Sequence, residues 1–236
     1  MPKNSREAIS YIRVVGLFLL LSLGLFSSGC AFTVDKVNVN YRTPKNWPRQ
    51  FEKKPDVGVT IGTFLDKRSA PSPNWLANKY NGYGQKASGG VEAEKPVAEI
   101  LRDAVISGLI DANFRVEKDL EKSVLTAKIL AFDYEQVFTS LLSDSWQTRL
   151  QCEFTLIDNA SKQILWKEIV QGNVILHYGV GAEKKNIFPG REGEKMQSTQ
   201  GFYSDKQGIV DIWVLSIDKV VMELITSEEF RRAVVR

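Results

Sequence analysis

The first thirty residues divide this chain into two parts with different fates. Lys3, Arg6 and Arg13 stand against a single Glu7, an uncharged apolar run follows from Val14 to Phe26, and Ser27, Ser28 and Gly29 lead to Cys30. A basic start, a short apolar core and a small-residue cleavage site make a secretory signal peptide, which is removed from the mature protein. An uncleaved anchor helix is the competing reading, because Val14 to Phe32 approaches the roughly 20 residues that span a bilayer. The strongly apolar core, thirteen residues long, suits a signal sequence better. Residues 1–29 are therefore expected to leave, and only the chain from Cys30 onward is expected to fold.

Residues 1–29 hold three of the 31 Lys/Arg and one of the 28 Asp/Glu, so the mature chain carries 28 basic against 27 acidic side chains. A balance this even leaves no electrostatic footprint for nucleic acid. The remaining 207 residues are ample for one domain with a core, and five tryptophans mark it as globular. Cys30 and Cys152 are the two cysteines. Trp146, Thr148, Leu150, Cys152, Phe154 and Leu156 alternate with Gln147, Arg149, Gln151 and Glu153, which places Cys152 mid-strand on the apolar face, as a buried structural thiol.

Residues 30–56 read as the mature terminus and a tether, broken by Pro44, Pro48 and Pro55, with Val37, Val39 and Tyr41 alternating as a short strand could. A single domain is expected over 57–236. It opens with a strand whose face is Val57, Val59, Ile61 and Leu65, ended by Asp66-Lys67-Arg68. The stretch to Glu94 is too long for an ordinary connection, so it is functional, disordered or hides a short element. A helix is expected from about Lys95 to Ala112, with Pro96 in its first turn. Its rows at i, i+4 are a bulky one (Val97, Leu101, Val105, Leu109) and a small one (Ala104, Gly108, Ala112), the latter suited to close approach of a neighbour. Ile106 and Ile110 lie off that face. Strands are expected over Val124–Phe138, Trp146–Ile157 and Ile164–His177, the last with Ile164, Trp166, Val170, Val174 and Leu176 on one face. The turn between the last two is Asp158–Lys162. A second long loop runs from Tyr178 to Tyr203. A helix follows from Ser204 or Asp205 to about Ile225, with Leu215 and Met222 off its main stripe, and Thr226-Ser227-Glu228-Glu229 has the form of a capping box opening a last short helix.

Chemistry is sparse. His177 is the sole histidine, which disfavours a zinc site, and no P-loop, Gly-x-Ser-x-Gly or His-x-x-Glu-His pattern occurs. Asp133 and Glu135 share a strand face and could be a carboxylate pair, although solvated edge acids are commoner. Asp66 and Arg68 are the remaining candidates: strand terminator and ion-pairing partner on one account, ligands at a strand's carboxyl end on the other.

Cys30, directly after Ser27-Ser28-Gly29, resembles the lipobox of bacterial lipoproteins, with Ser27 in place of the usual leucine. The resemblance implies acylation of the Cys30 sulfur and cleavage between Gly29 and Cys30. An ordinary signal peptide with an incidental cysteine is the alternative. Ala31, rather than Asp, after the cysteine implies export to the outer membrane. The order of elements, with Gly58-Val59-Thr60-Ile61, Asp66-Lys67-Arg68 and the helix ILRDAVISGLIDANFRV, is similar to the YajG-type family of bacterial lipoproteins. That implies a periplasm-facing domain without established enzymatic activity.

The expected fold is α+β, a two-layer sandwich with a mostly antiparallel sheet of four or five strands and two main helices on one face. The expected function is a lipid-anchored, non-enzymatic envelope protein, needing no cofactor or metal, held by acyl chains on Cys30 and binding a protein or glycan partner. The alternative is a small-molecule or lipid carrier with a pocket under the 69–94 and 178–203 loops.

Overall fold

The computed structural model describes residues 33–80, 85–117, 123–139, 143–179 and 206–236. Residues 1–29, Cys30, the 178–203 loop beyond Gly179 and the expected caps Ser204 and Asp205 lie outside that set. The described elements are β1 (Val34–Val37), β2 (Val59–Asp66), β3 (Trp75–Tyr80), β4 (Lys86–Ala93), α1 (Val97–Asp111), β5 (Val116–Glu117), β6 (Ser123–Thr139), β7 (Ser143–Asp158), β8 (Ile164–Gly179), α2 (Lys206–Thr226) and α3 (Glu228–Val234).

These elements form an α+β fold with two sheets. The larger has the order β5-β2-β6-β7-β8. Its long strands β6, β7 and β8 are antiparallel, as the hairpin pattern predicts, whereas β2 lies parallel to both β5 and β6. The sheet is therefore mixed, because the chain leaves β2, crosses through α1 and re-enters in the same direction. A bulge between Ile61 and Phe64 also shifts the alternation of β2. Phe64 turns inward and Leu65 is 42% exposed, so the expected inward face of Val59, Ile61 and Leu65 fails at its last member. Ile164, expected inward, is likewise 61% exposed beside the register shift at Leu156 and Ile157.

The stretch from Ser69 to Glu94 hides two strands. β3 and β4 pair antiparallel, and β1 adds parallel to β4, making a second sheet of order β1-β4-β3. Two register shifts break the apolar alternation that would have revealed the hairpin. At Gly90 a β-carbon would come within 2.2 Å of the Trp75 ring, so the indole uses the space a side chain would need.

Most of the expected tether is part of the fold. Asp35 of β1 pairs with buried Lys79 at 3.0 Å, Val39 and Trp47 are buried, and the Trp47 Nε1 donates to the Gly108 carbonyl at 2.9 Å. Phe51 packs edge-on against Phe114, with centroids 4.9 Å apart. The aromatic and β-branched side chains of this proline-broken stretch find their apolar partners only in tertiary contact, which local periodicity does not report.

Both main helices cover one face of the larger sheet. All of Val97, Leu101, Val105, Leu109, Ala104 and Ala112 in and after α1 are fully buried, while Ile110 is 48% exposed. The helix closes at Asn113, whose left-handed φ of 68° lets the Phe114 amide reach the Leu109 carbonyl. α2 is covered by β7 and β8, α1, α3 and the smaller sheet. Leu215, expected off the core stripe, is accordingly buried, as are the polar Ser216 and Asp218. Ser227, not Thr226, caps α3, its hydroxyl accepting from the Phe230 amide at 3.3 Å.

Two glycines set how closely the layers meet. A β-carbon at Gly108 would lie 2.4 Å from a Val221 methyl and 3.2 Å from the Trp47 ring. One at Gly172 would lie 2.3 Å from the Ser216 carbonyl oxygen. Gly108→Ala should therefore destabilise by about 1–3 kcal/mol, despite alanine's better helix propensity. Gly172→Ala should cost more, since it meets backbone rather than a movable methyl. Ile110→Ala should stay within about 0.5 kcal/mol. Chemical denaturation ranks the three, and a stabilised Gly108→Ala would contradict the packing.

Candidate binding cleft

The smaller sheet leans on the distal halves of β6 and β7, and the site is created by a bulge in β6. Leu125, Ala127 and Ile129 face the helices; one extra residue between Ile129 and Ala131 then moves the inward row to Phe132 and Tyr134. Phe132 stacks on Trp213 at 4.2 Å, and Tyr134 stacks on Trp146 at 4.9 Å. Tyr80 of β3 meets the Trp146 ring edge-on at 5.2 Å and donates its hydroxyl to the Tyr134 carbonyl at 2.7 Å. The Trp213 Nε1 donates to the Leu76 carbonyl at 3.0 Å, fastening the same sheet to α2.

Between these walls run two hollows that share Asn78, Lys86, Phe132 and Tyr134. The smaller, about 210 Å³, is bordered further by Arg68, Ser69, Pro71 and Trp75. The larger, about 440 Å³, is bordered by Tyr80, Asp133, Glu135, Gln147 and Arg149. The Arg149 guanidinium donates to Asp133 across the β6–β7 ladder, with its Nε at 2.9 Å. Lys86 is exposed and makes no ion pair among the described residues. Burial, and then the charge of Glu135, push the Tyr80 phenol above its ordinary value. The cleft thus offers amides, a free ammonium, paired charges of both signs and aromatic walls.

Asp66 and Arg68 come together, but with each other. The Arg68 Nε and Nη2 donate to the two Asp66 oxygens at 2.9 and 2.7 Å, and Nη2 also donates to the Trp75 carbonyl at 2.9 Å. Their side chains are only 6% and 12% exposed, and the guanidinium lies 5.3 Å from the Trp213 ring centre. This bidentate pair closes the turn after β2 and ties it to β3, while Arg68 still borders the smaller hollow. Asp133 and Glu135 do share a face; Asp133 is engaged by Arg149 and Glu135 stands at the rim. The His177 side chain lies outside the described ones. Sequence reasoning missed Asn78, Lys86 and Arg149 as cleft residues. The one available signal was Trp75, Tyr80 and Tyr83 gathered in a supposed loop.

Cys152 is fully buried at the centre of the β7 apolar face, and burial pushes its thiol well above the usual range, with Arg68 opposing. Among the described residues no group of three or more His, Cys, Asp or Glu could hold a metal, and no helix is long and apolar enough to cross a membrane.

No family model and no curated protein matches this chain. Among solved structures it is similar to a Xanthomonas campestris protein of the DUF330 family, at 13% identity and a TM-score of 0.48 over 82% of this chain and 92% of that one. It is also similar to a minor lipoprotein from Acinetobacter baumannii, at 8% identity and a TM-score of 0.39, covering 74% and 94%. A third is a neuraminyllactose-binding hemagglutinin homolog from Helicobacter pylori, at 9% identity and a TM-score of 0.37, covering 83% and 95%.

The cleft and the strand beneath it generate two expectations. Tyr80 should ionise later than ordinary tyrosines, whose usual value is 10.0. The unfolded chain then loses this proton first, so Tyr80's contribution to stability is intact below about pH 10 and is lost as pH rises through the folded value. A phenolate absorbance titration should show a late component that Tyr80→Phe removes. Cys152 should react with a bulky maleimide only after denaturant is added; rapid labelling of the folded domain would place that face of β7 outside the core.

Proposed function

We propose that this chain is a lipid-anchored, non-enzymatic envelope protein, held in the outer membrane by acyl chains on Cys30, whose periplasm-facing domain binds a protein or glycan partner in the cleft between the β3–β4 sheet and β6–β7. The observation that carries the binding reading is the cleft itself. Its aromatic walls are locked by stacking on Trp146 and Trp213, so the surface is formed before anything binds, and an ordered site loses less entropy on association. Its Asp133 is tied to the Arg149 guanidinium, and Arg68 at the border of the smaller hollow is tied to Asp66, an arrangement for holding shape and offering hydrogen bonds. The anchoring reading rests on the run from Val14 to Cys30. Two or more acyl chains would make attachment effectively stable, at about 0.8 kcal/mol per buried methylene.

The carrier reading ranks second. A hollow does lie beside the 69–94 segment, but an acyl chain there would desolvate Asp133, Glu135, Gln147 and Arg149 without replacing their hydrogen bonds.

Mass spectrometry of the membrane-extracted protein should show an acylated N-terminal Cys30 peptide, and Cys30→Ser should release the protein from membranes. A photo-crosslinking residue at Lys86, on the cleft, should give a discrete adduct in intact envelopes, and the same group at Lys162, on the β7–β8 turn, should not. An intact Met1-containing chain would overturn the anchor, and equal labelling from both positions would overturn the cleft as the partner site.

A further inference from the structure

The fold leaves almost no slack between the anchor and the domain. β1 begins at Val34, four residues after Cys30, which at full extension is about 14 Å of chain. β1 itself is fastened along its whole length. The Gly90 amide donates to the Thr33 carbonyl at 3.2 Å, and the Glu94 amide to the Val37 carbonyl at 2.9 Å. Lys79, buried, grips both Asp35 at 3.0 Å and the Thr33 hydroxyl at 3.2 Å.

The direction of entry is as informative as its shortness. β1 runs parallel to β4 with Val34 opposite Gly90, so the chain enters the sheet from the Lys86 end of β4. Across the sheet Gly90 is opposite Asn78, and Lys86 is opposite Tyr80. Asn78, Lys86 and Tyr80 are cleft residues. The entry point is thus two strand spacings from the cleft, about 10 Å. The far end of the domain, the turn after Asp158, lies a further twelve residues of β7 beyond Trp146, about 40 Å away.

We propose that the cleft-bearing end of the domain rests on the phospholipid surface of the membrane that holds Cys30, so that the cleft receives its occupant at headgroup level. This rests on the lipid-anchor reading above. This end presents exposed Val34 and the unpaired ammonium of Lys86 to an interfacial, anionic surface, with the Glu135 carboxylate beside them at the cleft rim.

The test uses the acylated full-length lipoprotein in vesicles of phosphatidylethanolamine and phosphatidylglycerol containing a nitroxide-headgroup phosphatidylcholine. A fluorophore is placed on Ser88→Cys, beside the entry point, or on Ala160→Cys, on the far turn; Ser88 and Ala160 are exposed and Cys152 is buried. Emission from position 88 should be quenched at least twofold more than from position 160, in protein that floats with the vesicles. Floating protein quenched equally at both positions, more at 160, or at neither would overturn the proposal and leave the anchor standing. Protein that does not float would overturn the anchor, and the proposal with it.

Discussion

The backbone of α2 lies directly on β8, and the rest of the molecule is arranged around that contact. It exists because Gly172 has no side chain: a β-carbon there would sit 2.3 Å from the Ser216 carbonyl oxygen. Alongside it Thr148 and Ser216 share a buried hydrogen bond at 2.7 Å, and Ser216 returns its hydroxyl to the Ile212 carbonyl at 2.8 Å. Two hydroxyls thus satisfy each other and the helix where the layers are too close for large side chains. A helix so deeply seated is available to everything else. Its Trp213 carries Phe132 and Arg68 and holds the Leu76 carbonyl, and its Val221 meets α1 at Gly108.

The cleft arises from a departure from regularity. A strand as long as β6, seventeen residues, would continue one inward row along its whole length and present a flat surface. The bulge after Ile129 changes which residues face inward, and Phe132 and Tyr134 become a wall against the smaller sheet. The opposite face of the same strands stays regular. There Lys128 and Lys167 bracket Glu153 at 2.7 and 2.9 Å, and hydrogen bonds from Lys128 and Lys167 hold that carboxyl below the usual carboxylate range. One face of the sheet carries the solvated ion pairs, the other supports the helices and the aromatic wall, and the larger hollow is bordered from both, by Phe132 and Tyr134 and by Gln147 and Arg149.

β1 and the cleft-bearing β3–β4 hairpin are joined by backbone hydrogen bonds to β4 and by buried Lys79, which reaches Asp35 and the Thr33 hydroxyl. A buried ammonium without its carboxylate is strongly disfavoured, so β1 docking and the order of the β3–β4 sheet depend on each other. Docking of the leader and the shape of the cleft are therefore properties of one small sheet.

Much of the fold was legible in the sequence, and the reason is periodicity. The face from Trp146 to Leu156 alternates without interruption, so the burial of Cys152 could be read directly, as could the bulky and small rows of α1 and the close approach at Gly108. The features that escaped are those that local pattern does not encode. The bulges in β2 and β6 shift the alternation by one residue, which reversed the reading of Leu65 and hid the wall of the cleft. β3 and β4 are register-shifted, and their partners, β1 alongside β4 and α2 against β3, are distant in sequence. The close approach at Gly172 depends on α2, which is distant in sequence. Asp66 and Arg68 could be recognised as a charged pair at a strand end, but only the approach of Trp75 and Trp213 decided that their charges face each other. Residue type and spacing determined most of the elements; long-range contact, acting through space, determined the second sheet, the docking of the leader and the cleft.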